Sequence, residues 1–436
     1  MSDSLKKILF VTQLDIWSMS MRKSGETMGN QSLYNTLMGY ARHGYEVHVL
    51  TSANRLKSKP TLPKNIIIHR HPLPGQWAWR LGKAIFRIGR RRTGNANPSS
   101  VVTDLDYRRY LSLHKVLIFY IWMSFWILPL LIRHRFCAVY GYEMFGIPVA
   151  WFWGRFFRRR VISRFQGTLM SKYLKEPKKL RYNWTHWMPM CLPVDLLIMT
   201  DDGTQGNRVL EYLGVPKERW VFLRNGVGFT IDPKLRMSRD KIRYVKGISE
   251  NISLFTSASR MTYWKRIDRI IRAAALVPVD RQFLVVLIGD GEERQALKNL
   301  ASDLGVSNRV RFEGPLPHTS VIEWHCAADV LISTFDVSNV GNQILEAQVL
   351  GKPYITVNTG DTSQIIKHEQ NGILVENADD IDGIAKAMIR LIDNPKLCND
   401  MADSALAFGK ENIQTWEQRM EKEISIVESR LGIMPK

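Results

Sequence analysis

The sequence is poor in cysteine: four in 436 residues, at positions 137, 191, 326 and 398, widely separated and without C-x-x-C spacing. That excludes a disulfide scaffold and a cysteine-based zinc finger, and the four read as reduced, mostly buried thiols of a cytosolic environment. Low-complexity segments are absent. So is the G-x-G-x-x-G spacing of a dinucleotide fingerprint. No helix-turn-helix cue, paired-cysteine finger or RNA-binding aromatic motif accompanies the excess of 61 Lys and Arg over 41 Asp and Glu, so nucleic acid is not the expected partner. Acidic residues are the scarce charge, and the net value of +20 points instead to an anionic membrane or another polyanion. Long apolar runs are few. The run 116–132 falls short of the roughly 20 residues of a membrane span and contains Pro129, so it reads as a helix buried between a sheet and its neighbours, or partly dipped into a bilayer. The apolar run ILFVT near the start is too short for a signal peptide and suits a first buried strand; the protein is expected to stay where it is made.

What is present is a two-domain α/β pattern. The length exceeds one ordinary core, which sets a prior of two domains of about 200 residues. A strand over 7–12, a loop through Lys23-Ser24-Gly25, a helix over 30–43 ending at Gly44, and a strand over 46–50 make a βαβ opening. The Gly25 loop reads equally as a phosphate cradle of backbone N–H groups and as an ordinary surface loop. Further strands are expected at 65–70, 136–140, 161–165, 195–200 and 220–223. The strand ends carry Gln166-Gly167-Thr168 and Arg224-Asn225-Gly226-Val227-Gly228, and residues 229–250 read as a linker.

Two basic aromatic segments stand out. In 77–91, Trp77, Leu81, Ala84, Ile85 and Ile88 share a helical face, with Arg80, Lys83, Arg87, Arg90 and Arg91 largely opposite. Residues 151–160 interleave Trp, Phe and Arg. Both suit an anionic lipid interface, and the alternative for the first is a surface helix with a solvated basic side.

The second α/β series opens at 252–256 and continues through Ser259-Arg260-Met261-Thr262-Tyr263-Trp264-Lys265-Arg266 into a helix over 267–276. Cations at a loop-to-helix entrance can receive a diphosphate, and the plainer reading is a solvated basic turn. A strand over 283–288 leads to Gly289-Asp290-Gly291. The stretch 331–375 alternates strand, loop and helix, and its loop Asp336-Val337-Ser338-Asn339-Val340-Gly341-Asn342 brings polar groups into an apolar unit. Glu346, eight residues beyond Ser338, falls on nearly the same helical side, which suggests a hydroxyl-rich ligand at strand carboxyl ends.

Taken in order, Asn225-Gly226-Val227, Arg260 with Lys265, Gly289-Asp290-Gly291 and Glu346-Ala347 through Gly351-Lys352-Pro353 resemble the motifs of glycosyltransferase family 4, retaining enzymes that use nucleotide sugars. The resemblance spans almost the whole chain and is strongest over 252–376. It implies a GT-B fold: α/β, two facing Rossmann-like domains with parallel sheets and a cleft between them. The chain is read as 1–228 for the acceptor side, 229–410 for the donor side, and a last helix, 411–436, that either closes the second domain or crosses back to the first. The resemblance implies that Glu346 binds the ribose hydroxyls of a nucleoside diphosphate sugar. Arg260 and Lys265 would neutralise the leaving diphosphate, with no metal and no resident cofactor. Gly25, Asn225, Gly289, Asp290, Ser338, Asn339, Val340, Gly341 and Asn342 would line the donor, and Gln166 would stand at the catalytic loop of the first domain. The chain departs from the pattern at Ser338, where the family has Glu, at Gln166, where it has His, and at Gln364, where it has Glu.

The expected function is sugar transfer from a nucleoside diphosphate sugar to a lipid-linked saccharide or other cell-envelope glycan, at the cytoplasmic face of an anionic membrane. Two alternatives accompany it: a soluble transferase acting on an anionic polysaccharide, and a non-catalytic nucleotide-sugar-binding or scaffold protein.

Overall fold

The computed structural model describes residues 6–15, 18–21, 27–28, 31–53, 62–73, 113–228, 239–337 and 339–433. Gly25, the 77–91 segment and Ser338 lie outside these residues.

Among the described residues, a seven-stranded parallel sheet comprises β1 (Lys6–Thr12), β4 (Tyr45–Thr51), β5 (Ile66–Arg70), β6 (Ala138–Tyr142), β7 (Arg160–Phe165), β8 (Leu196–Asp201) and β9 (Trp220–Arg224), in the order β5-β4-β1-β6-β7-β8-β9. A small antiparallel pair, β2 (Ser18–Met21) and β3 (Thr27–Met28), stands apart. The second sheet has six parallel strands: β10 (Ser253–Ala258), β11 (Phe283–Ile288), β12 (Val310–Gly314), β13 (Val330–Ile332), β14 (Tyr354–Val357) and β15 (Gly372–Val375), in the order β12-β11-β10-β13-β14-β15. In each sheet the chain moves outward on one side of the first strand and then crosses to the other. The reversals lie between β1 and β6, and between β10 and β13. Crevices at such reversals, beyond the carboxyl ends of the strands, are where open α/β sheets bind ligands.

The strands are apolar on both faces because helices cover both. Ile8 and Phe10 of β1 pack toward α1 (Gln31–Arg42) through Leu33, Leu37 and Tyr40. Leu9 and Val11 face the other way, toward α2 (Leu113–Arg133) and α3 (Glu143–Phe156), meeting Phe119, Met123 and Phe145. Each such fully buried side chain contributes roughly 1.5–3 kcal/mol relative to exposure. The second sheet repeats the scheme. Phe255, Val285 and Ile332 meet one helical layer, and Leu254, Val286 and Leu331 the other.

The strand expected over 136–140 begins at Ala138 and runs on through Gly141 and Tyr142. Glycine here is not a turn signal: a Cβ on Gly141 would lie 2.5 Å from the Ile147 Cα, so the strand needs glycine for α3 to pack on it. Within the stretch read as a linker, α7 (Arg239–Val245) forms, held by Arg243, whose buried guanidinium donates to Asp329 at 3.1 Å and to the Ser249 carbonyl at 2.8 Å. Among the described residues, α4 (Pro177–Tyr182), α5 (Trp184–Cys191) and α6 (Gly206–Tyr212) are short α-helices between α3 and α7.

In α2, Val116, Phe119, Met123, Ile127 and Leu131 are buried, while Leu117, Ile118, Ile121, Phe125 and Ile132 are exposed. By length and composition Val116–Arg133 is apolar enough to cross a membrane, and only 28% of it is buried inside the fold. It is a sheet-covering helix with a second apolar face.

The chain closes the second sheet with α8 (Ile267–Leu276), α9 (Arg294–Asp303), α10 (His318–Ala327), α11 (Asn342–Val349), α12 (Thr362–Ile365), α13 (Ile381–Asp393) and α14 (Pro395–Asn412). Then α15 (Trp416–Leu431), opened by a capping box between Thr415 and Gln418, returns to the first sheet. Trp416, Met420, Ile424, Val427 and Leu431 join the core around Phe10 and Tyr40. Glu423 enters that core fully buried. It accepts from Arg164 Nη1 at 3.2 Å, from the Tyr140 hydroxyl at 2.9 Å and from Arg419. Burial alone would raise its pKa, but Arg419 and Arg164 outweigh that and hold the carboxyl below its ordinary value.

Candidate functional site

The loops leaving β10 and β13, at the reversal of the second sheet, carry the polar groups singled out in the sequence. After β10 the chain passes Ser259 and Arg260, makes a short 3-10 turn over Tyr263–Lys265, and enters α8 through Arg266, at φ +45°. Arg260 is exposed, whereas Lys265 is partly buried with its Nζ 3.8 Å from the Phe335 ring centroid. Burial and the neighbouring Arg260 cation lower the Lys265 pKa to about 8, against the pull of Asp202. Arg260 and Lys265 therefore concentrate positive charge at one point beside an acidic group from the first sheet.

Gly289, Asp290 and Gly291 buttress that cationic loop. A Cβ on Gly289 would meet the Ser259 carbonyl oxygen at 1.9 Å, and one on Gly291 the Met261 oxygen at 2.2 Å. The Met261 N–H donates to the Asp290 carbonyl at 2.9 Å, and the Asp290 carboxylate accepts from the Gly291 N–H at 2.9 Å. These glycines are required for the close approach of two loops.

After β13, Asp336 joins an ion-pair network: Arg269 Nη1 at 2.7 Å and Arg266 at 3.5 Å, with Asp379 completing it. It holds the loop in place. Asn339 donates to the Thr359 carbonyl at 3.1 Å, and its buried Oδ1 has no hydrogen-bond partner among the described residues. The Val340 N–H donates across the cleft to the Asp202 carbonyl at 3.1 Å. Gly341 caps α11, and Asn342 in its first turn donates to Gln31 of α1 at 2.7 Å. One turn further, Glu346 is buried with its Oε1 2.7 Å from His318 Nε2 and its Oε2 3.9 Å from His325 Nε2. The two histidines differ. Burial lowers the His318 pKa, but the bond to Glu346 and its charge raise it overall. His325, fully buried, is driven down to about 4 by burial despite Glu346, and its Nε2 has no hydrogen-bond partner among the described residues.

The first sheet supplies the opposite wall from the ends of β6 to β9. Gln166 donates from Nε2 to the Tyr142 hydroxyl at 2.6 Å, and its backbone N–H donates to Glu143 Oε1 at 2.7 Å. Glu143 sits at φ +61°, partly buried at the cavity wall, and desolvation there pushes its carboxyl up to about 7. With Gly167, Thr168, Asp202 and Thr204, these two line a cavity of about 270 Å³. Asn225 faces inward: its Oδ1 accepts from Ser32 at 3.3 Å and Arg164 at 3.4 Å. Gly203, at φ +84°, lets the walls touch, since a Cβ there would be 2.8 Å from the Val340 nitrogen. Two further bonds span the cleft, Gln205 to Asp361 at 3.3 Å and Arg224 to Gln364 at 3.3 Å.

The structure thus gathers Arg260, Lys265, Asn339, Val340, Asn342 and Glu346 along one wall. Gln166 lies on the other, Gly289 and Asp290 stand behind the cationic loop, and Asn225 is turned into the first core. Sequence reasoning assigned no role to Glu143, Asp202 and His318. Glu143 and Asp202 carry a weak signal, an acidic residue at a strand end, but nothing local marks His318 as the partner of Glu346.

Residues 238–407 match the model for Glycosyl transferases group 1. The chain is a GT-B protein related to that group. It aligns with the D-inositol 3-phosphate glycosyltransferase of Thermomonospora curvata at 27% identity over 223 residues, 48% of this chain and 52% of that protein. It aligns with a lipopolysaccharide core biosynthesis glycosyltransferase of Rhizobium meliloti at 32% over 147 residues, 34% of this chain and 42% of that protein. The chain spans about half the length of the curated relatives it matches. The GT-B architecture itself is shared end to end with solved structures. The sucrose-phosphate synthase of Thermosynechococcus elongatus superposes with a TM-score of 0.72 at 14% identity, covering 98% of this chain and 100% of that one. HepE of Anabaena, in complex with UDP and glucose, superposes at 0.65 and 18% identity, covering 97% and 100%.

Proposed function

We propose that this GT-B chain is a retaining glycosyltransferase of the family 4 type, moving a sugar from a nucleoside diphosphate sugar to a membrane-associated or cell-envelope glycan. The observation that carries the reading is the pairing, on one wall of the cleft, of a partly buried Lys265 beside Arg260 with a buried carboxylate, Glu346, on α11. Two adjacent cations stabilise a diphosphate as the glycosidic bond breaks, and a carboxylate accepts hydroxyl protons from a ribose. The match over 238–407 includes all three residues, and the relatives carry glycosyltransferase names. The likeness to HepE, determined with UDP and glucose, supports a uridine or similar donor.

The roughly 270 Å³ cavity beside Gln166 offers the acceptor a hydroxyl-sized polar lining of Glu143, Thr168 and Thr204. Retention follows when the acceptor approaches the face of the sugar that the diphosphate leaves, with a departing phosphate oxygen taking its proton.

The membrane part of the proposal rests on α2 and α3. Leu117, Ile118, Ile121, Phe125 and Ile132 are exposed on α2, and Phe152 and Phe156 on α3, beside exposed Arg155, Arg158 and Arg160. Apolar rings edged by cations suit the headgroup region of an anionic leaflet, the site of a lipid-linked acceptor.

Release of nucleoside diphosphate from a panel of donors, with a membrane extract as acceptor source, tests the reading. One donor is expected to turn over, and Lys265→Ala or Glu346→Ala to reduce turnover sharply. Donor binding without turnover would favour the scaffold reading, which the glutamines at 166 and 364 support.

A further inference from the structure

Away from the cleft, three histidines and a glutamate meet where α2 ends against the edge of the first sheet. Alternation along β4 turns Glu46 and His48 to the face covered by α2, while Val47 and Val49 fill the opposite core. His134, one residue beyond α2, is set there by its backbone N–H bond to the Leu130 carbonyl. His69 comes from β5, beside β4. The His48 ring is buried, its centroid 4.7 Å from that of His134 and 5.1 Å from that of Phe136.

We propose that Glu46, His48 and His134 form a site for one divalent transition-metal ion of the zinc class. Their ligand atoms, one from each residue, all lie within 4.8 Å of one another. A tetrahedral ion with bonds of about 2.0–2.2 Å needs its ligand atoms roughly 3.3 Å apart. Glu46 Oε1 and His48 Nε2 are 2.8 Å apart and would separate by about half an ångström to take up an ion, with the partly exposed His134 ring completing the set. Two imidazole nitrogens and one carboxylate oxygen form a donor set suited to zinc, with water at the fourth position. The second nitrogen of His48 supports the assignment. Nδ1 lies 3.0 Å from His69 Nε2, so His48 can ligate through Nε2 and donate its remaining proton to His69, the outer partner typical of a ligating histidine.

Lys7 shapes the affinity. Its Nζ lies 2.8 Å from the same Glu46 Oε1 and competes directly with the ion for that oxygen. The ion would tie the end of α2, the helix with the exposed apolar face, to β4. This assignment is independent of the catalytic reading.

Zinc alone, titrated calorimetrically into the full chain freed of metal, tests it, with cobalt(II) as a visible-absorption probe of tetrahedral geometry. The expected result is one ion per chain and a tetrahedral cobalt spectrum. His134→Ala, at a partly exposed helix end, is expected to weaken binding at least tenfold with unchanged circular dichroism. His69→Phe should weaken it about 10–100-fold, Lys7→Met should tighten it, and His368→Gln on the other sheet should leave it unchanged. Zinc binding that His134→Ala and Lys7→Met both leave unaltered, or no stoichiometric binding by the wild-type chain, overturns the proposal.

Discussion

His318 Nε2 and Glu346 Oε1 are 2.7 Å apart, so the carboxylate proposed to bind ribose is already gripped by an imidazole before any ligand arrives. The grip fixes one carboxylate oxygen and leaves the remaining lone pairs for hydroxyls. His318→Ala is expected to weaken nucleoside diphosphate binding about 10–100-fold, the equivalent of losing one hydrogen bond to a charged group, roughly 1.5–3 kcal/mol. Pyrophosphate binding should hardly change. Calorimetry with UDP and with pyrophosphate distinguishes the two.

The same pair gives stability a pH signature. The His318 pKa is raised in the folded chain, so its contribution is full below the unfolded value near 6.5 and fades as pH rises through the folded value. Urea unfolding of wild type and Glu346→Gln at a series of pH values checks this. The stability gap is expected to be widest at the acidic end and to narrow toward alkaline pH.

Lys265, lowered to about 8, sets a second dependence of opposite consequence for function. Above pH 8 the free protein loses this charge, so UDP affinity is expected to fall and binding to draw in a proton. Lys265→Arg, which stays charged, should flatten the profile. Proton uptake measured in buffers of different ionisation enthalpy provides the readout.

Glu143 is held near neutrality by burial, with a folded pKa of about 7 against an ordinary 4.5. A raised carboxyl contributes its stability below the unfolded value and loses it as pH rises through 7. Glu143→Gln keeps the acceptor for the Gln166 N–H and removes the charge. Above pH 7 it is expected to be more stable than wild type by on the order of 3 kcal/mol, from 2.5 units at about 1.4 kcal/mol each. Thermal unfolding at pH 5 and pH 8 compares the two.

The apolar face of α2 predicts lipid binding. Ile121→Asp with Phe125→Asp, both at exposed positions, should leave the fold intact and reduce sedimentation with anionic vesicles severalfold. Equal sedimentation of wild type and variant would count against the membrane surface.

The alternation of apolar runs was enough to read both parallel sheets, because strands buried on two faces must be apolar throughout. Ile267–Leu276 and Phe283–Ile288 fall where periodicity places them. The strand expected over 136–140 stops short of Gly141 because a glycine inside a strand is explained only by the helix packed on it. Glu346 was legible from the motif around it. His318, 28 residues earlier, was not, because its meaning lies in a tertiary contact between α10 and α11 that nothing local encodes. Nothing in the polar loop 336–342 signals that Asp336 pairs with Arg269, which is buried on α8.

The helix that carries Glu423 has a consequence for synthesis. Residues 416–431 are translated after the entire second sheet, yet they complete the core around Phe10 and supply the counter-charge for Arg164. The core of the first half is thus complete only once the last helix has been made, and the carboxylate that pairs with Arg164 arrives with it.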